Sequence, residues 1–101
     1  MFCLRYVATP NPGGDQFSEA GGAYVNCWVR AASQEEAQQR AVSFIRDSGW
    51  LVEALEEAYS CSRADFSTTS ALSYFDEAEA HGESYVFHTW PPEPQGEDSV
   101  R

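Results

Sequence analysis

Lysine is missing altogether: all six basic residues among the 101 are arginines. That excludes a Walker-type phosphate loop, a Schiff-base nucleophile and a lysine-anchored pyridoxal site, each built around a primary amine. Basic charge is scarce as a whole. Sixteen Asp and Glu leave a net charge of −10, which opposes the approach of nucleic acid and of anionic lipid. Neither a nucleic acid nor a membrane is therefore expected as a partner. No run approaches the roughly 18 apolar residues that span a bilayer. The opening Met-Phe-Cys-Leu-Arg-Tyr has no basic stretch ahead of an apolar run, so no secretory leader is expected. Cysteine is sparse and odd in number, and Cys3, Cys27 and Cys61 form no CxxC pair. Small secreted domains carry denser, even sets. The expectation is three free thiols in a soluble, cytoplasmic protein.

Chemistry-bearing patterns are equally thin. There is no GxSxG elbow and no HExxH. His81 and His88 are the two histidines. His81 falls at the end of a predicted helix, where a cation suits the dipole. His88 falls in a predicted strand among aromatic residues. Two histidines and scattered cysteines do not make a zinc-ligand pattern, and adjacent acids on a helix point in different directions. No metal and no cofactor are expected, and the chain reads as non-enzymatic. Gly13-Gly14 and Gly21-Gly22 have no helix start behind them to hold an anion, and read as turns.

What is present is an ordinary globular composition, 43% hydrophobic with 14% aromatic residues, enough for one core in one domain over residues 1–90. Residues 2–9 read as a strand stopped by Pro10, and residues 10–22 as a Gly/Pro loop. A second strand follows at about 23–32, alternating Val25, Cys27 and Val29 against Tyr24, Asn26 and Trp28. Ser33-x-x-Glu36 is a capping box, opening a helix to about Ser48 with the stripe Ala37, Ala41, Phe44 and Ile45 and a terminal Gly49. Residues 50–61 have high helix propensity. Gly49 has just ended a helix, however, and a crossover needs a strand, so a strand is the reading taken. A second helix covers about 68–81 and ends at Gly82, followed by a β-branched and aromatic strand at 84–90. Residues 91–101 read as a disordered acidic tail.

The order β-β-α-β-α-β predicts an α+β two-layer sandwich, a four-stranded sheet with both helices on one face if each crossover is right-handed. It is near the ferredoxin-like group in general plan, with the extra strand placed first. That comparison carries no function.

Matching apolar faces sets the register of the first two strands: Phe2, Leu4 and Tyr6 against Val29, Cys27 and Val25, facing the helices. The other face then carries Cys3, Arg5 and Val7 beside Trp28, Asn26 and Tyr24. Either the 10–22 loop or the tail covers this face, or it is a contact surface. The candidate interface is Arg5, Val7, Tyr24, Trp28, Arg30, His88 and Trp90, and a homodimer is the simplest use of it. Trp28 is expected to be buried at such a contact, so that Trp28→Glu would yield a folded monomer. Charge is uneven as well: residues 1–50 carry five acids and four arginines, residues 51–101 eleven acids and two arginines. Glu53, Glu56, Glu57, Asp76, Glu77 and Glu79 form a candidate acidic surface, either solvated or steering a basic protein partner. The alternative function is a small enzyme or ligand-binding protein with a pocket between sheet and helices, using His88, Cys27, Tyr85 and the acids of residues 53–57.

Overall fold

The computed structural model describes residues 1–13 and 20–91. Residues 14–19 of the expected loop and 92–101 of the expected tail lie outside the described residues.

Strands β1 (Phe2–Pro10) and β2 (Gly22–Val29) are followed by helix α1 (Gln34–Asp47), strand β3 (Trp50–Ser60), helix α2 (Thr69–His81) and strand β4 (Glu83–Trp90). A 3₁₀ turn at Arg63–Asp65 leads into α2. The strands form one sheet in the order β3-β1-β2-β4, every neighbouring pair antiparallel. The α+β plan and its element order are those expected. The β1–β2 register also agrees, with Phe2, Leu4 and Tyr6 opposite Val29, Cys27 and Val25.

Local signals place both helices. Ser33 caps α1 by accepting from the Glu36 N–H at 3.1 Å, and Thr68 caps α2 by accepting from the Ala71 N–H at 3.1 Å. Both helices end against a glycine with positive φ, +92° at Gly49 and +99° at Gly82, where a side chain would be strained. Residues 50–60 are a strand despite their helix propensity. Pairing with β1 along nine residues outweighs a preference worth tenths of a kcal/mol per residue.

One part of the expected plan needs correction: the two helices do not share a face. Ala37, Ala41 and Ile45 of α1 pack with Leu4, Tyr6, Val25, Cys27 and Val29 on one side. Phe75 and Ala78 of α2 pack with Cys3 and Trp28 on the other. The sheet is thus the middle of three layers. The right-handed rule constrains only crossovers between parallel strands. It applies to β2-α1-β3, whose strands both run antiparallel to β1. It does not apply to β3-α2-β4, whose strands run in opposite directions, so α2 was free to take the side where Trp28 needed cover.

The thiol expectation is corrected too. Cys3 and Cys61 form a disulfide, with Cα atoms 6.2 Å apart across a separation of 58 residues, and Cys27 alone is free and buried. Disulfides persist in oxidising compartments, so the cysteine argument for a cytoplasmic location falls away. Among the described residues no helix is long and apolar enough to cross a membrane.

Candidate functional site

Helix α2 and the segment before it divide the second sheet face in two. At the covered end, Trp28 stacks on Tyr74 with ring centroids 5.3 Å apart, and meets the edge of Phe66 at 6.2 Å. The Ser84 hydroxyl donates to the Tyr74 carbonyl at 2.6 Å and anchors α2 to β4. Trp28 is only 8% exposed. Its burial is therefore within its own chain, and it does not present a ring to a partner.

At the other end no element of the described residues covers the face. Tyr24 and Trp90 pack at 5.1 Å between ring centroids, and each keeps more than a third of its surface exposed, 38% and 36%. Trp90 lies over Gly22, its strand partner, where any Cβ would run into the indole. That glycine is a strand residue serving close approach rather than the turn expected. The Arg5 guanidinium sits 4.9 Å from the Tyr24 ring centroid. Val7 and His88 flank Tyr24 in register on either side. Of the seven candidate interface residues, five are thus brought together: Arg5, Val7, Tyr24, His88 and Trp90. Trp28 is not among them, nor is Arg30. Arg30 follows the far end of β2, where its backbone N–H donates to the Gly82 carbonyl at 2.8 Å and its own carbonyl accepts from Arg40 at 2.8 Å.

Between the two ends lies a cleft of about 230 Å³, lined by Cys3, Arg5, Asn26, Trp28, Glu57 and Phe66 among others. Two buried donors at this place, Arg5 Nε and Trp28 Nε1, have no hydrogen-bond acceptor among the described residues. Among the described residues Arg5 joins no ion pair, although Glu57 is its strand partner. The alternation had put Arg5, Asn26 and Trp28 side by side. What it lacked was the cover from Phe66, which turns a sheet face into a cleft.

The acids do not form one surface. Glu53, Glu56 and Glu57 lie on β3, an edge of the sheet, whereas Asp76, Glu77 and Glu79 lie on α2, which packs on β4 and β2. Register shifts in β3 leave Glu53 and Glu56 without a partner on β1. Bulges with charge on an edge strand discourage pairing with another chain. Glu53 accepts from the Thr9 hydroxyl at 2.8 Å. Asp76 accepts from Arg63 Nε and Nη2 at 2.9 and 3.2 Å, and these hydrogen bonds hold its carboxyl below the usual range. Among the described residues no three His, Cys, Asp or Glu side chains are grouped to hold a metal.

The alternative catalytic set is pulled apart. Cys27 and Tyr85 are strand partners on the α1 side. His88 points to the opposite face from Tyr85 three positions along β4, and Glu53, Glu56 and Glu57 are on the other edge. Burial pushes the Cys27 thiol up to about 12, which leaves it protonated and inert at neutral pH. The Tyr85 hydroxyl, raised by burial and by its hydrogen bond to Glu83 at 3.0 Å, is still harder to ionise. An open groove between α1 and β3 exists, lined by Tyr6, Gln38, Val42, Arg46, Glu53 and Leu55, but it excludes Cys27, Tyr85 and His88.

The chain matches no protein-family model, no curated protein and no solved structure.

Proposed function

We propose that this chain is a non-enzymatic binding and assembly module that self-associates through the open end of its second sheet face, around Tyr24 and Trp90. The observation that carries this reading is the exposed, mutually packed pair Tyr24–Trp90, held on two hydrogen-bonded strands with Arg5 over one ring. Aromatic residues and arginine are the types that dominate protein contacts. A second copy suits the patch for two reasons. Arg5, Val7, Tyr24, His88 and Trp90 include no carboxylate, so the patch itself adds no acid–acid pair to a contact between two chains of net charge −10. The patch also holds both a cation and ring faces, so it is self-complementary across a twofold axis.

Light scattering on the purified chain tests the reading. The wild type should show the mass of a dimer, and Tyr24→Glu and Trp90→Glu should each show a monomer with unchanged far-ultraviolet circular dichroism. A wild type that stays monomeric at high concentration, or folded variants that stay dimeric, would remove this surface as the contact.

A further inference from the structure

We infer that the cleft between Arg5, Trp28 and Phe66 binds a small aromatic monocarboxylate. Its open volume is about 230 Å³, room for roughly seven waters at ~30 Å³ each. Walls and donors are arranged differently. Trp28, Phe66 and Tyr59 supply apolar surface beside the Cys3–Cys61 disulfide, which suits a flat ring. Asn26 adds a polar side chain to the same lining.

The cation on the cleft wall decides the ligand's chemistry. Trp28 is more than nine-tenths buried, and its indole nitrogen is closed to any atom in the cleft, so the ring serves as wall rather than donor. Arg5 Nε is closed off in the same way, and a ligand meets the outer end of the guanidinium. Because that guanidinium is in no ion pair among the described residues, an anionic acceptor is preferred to a neutral one, and a planar carboxylate matches the guanidinium fork. Glu57 on the cleft wall limits the anion to a single charge, since a second carboxylate or a phosphate would face it.

The test is a nitrogen-15 NMR titration of the full chain with phenylacetate, following the three indole N–H signals, that of Trp28 assigned by Trp28→Phe. Phenylacetate should move the Trp28 signal saturably and leave Trp50, in the α1-side core, unmoved. Phenylacetamide, the neutral counterpart, should bind about tenfold more weakly or worse, and Arg5→Gln should weaken phenylacetate by about tenfold or more. Glu57→Gln, on an exposed residue, should tighten it severalfold, and this arm stands even if Arg5→Gln fails to fold. No saturable shift at millimolar phenylacetate, equal binding of acid and amide, or indifference to both substitutions would overturn the assignment.

Discussion

Trp28 on β2 and Tyr74 on α2 stack with an interplanar angle of 27°, and this contact seals the helix to the sheet face. The ring is core, with Phe75, Ala78 and the disulfide around it. Trp28→Glu should therefore fail to fold or lose most of its stability, not yield a folded monomer. Truncating a buried Trp costs ~3–5 kcal/mol before any charge is buried. Urea denaturation of Trp28→Ala gives the first part of that loss, and a change below about 1 kcal/mol would contradict the packing described.

The disulfide leads to a second expectation. Cys3 and Cys61 close 58 residues of chain, and a loop of that size restricts the unfolded state by about 4 kcal/mol in the chain-entropy view. Reduction, or the pair Cys3→Ser and Cys61→Ser, should lower the urea midpoint accordingly. Thiol titration of the unreduced, unfolded protein should count one thiol per chain, that of Cys27.

Arg40 is the chief polar tie between layers. It donates to the Arg30 carbonyl at 2.8 Å, to the Gly82 carbonyl at 3.2 Å and to the Glu83 carboxylate at 2.9 Å. One side chain on α1 thus holds the end of β2 and the α2–β4 turn. Arg40→Ala should cost about 1–3 kcal/mol. Arg40→Lys should recover only part of it, because an ammonium lacks the guanidinium fork. Hydrogen exchange at Gly82 and Glu83 should rise in both variants.

Alkaline pH probes the α1-side core. Burial raises Cys27 from an ordinary 9.0 to about 12 and Tyr6 from 10.0 to about 12. Each folded value lies above the unfolded one, so the folded state holds its protons longer. The resulting contribution is full below pH 9.0 and is lost as pH climbs toward 12. The urea midpoint should fall across that window, and less steeply in Cys27→Ala. At neutral pH Cys27 should resist an aromatic disulfide reagent until the chain is unfolded.

Short-range signals in this chain were legible because their causes are short-range. Ser33, Gly49 and Gly82 each act within one helical turn. The Val25–Cys27–Val29 alternation forces its register because a slip of one residue would turn the apolar set to the wrong face. Even β3 could be read against its propensity, since a helix ending at Gly49 needs a connection back to the sheet. Tertiary structure alone decided the rest. No local feature says which side of the sheet α2 takes, because β3 and β4 run in opposite directions and the handedness rule is silent there. That single choice buried Trp28, split the candidate interface between a covered and an open end, and roofed the cleft over Arg5. Three scattered cysteines likewise could not announce a bridge, since Cys3 and Cys61 meet only when β3 pairs beside β1.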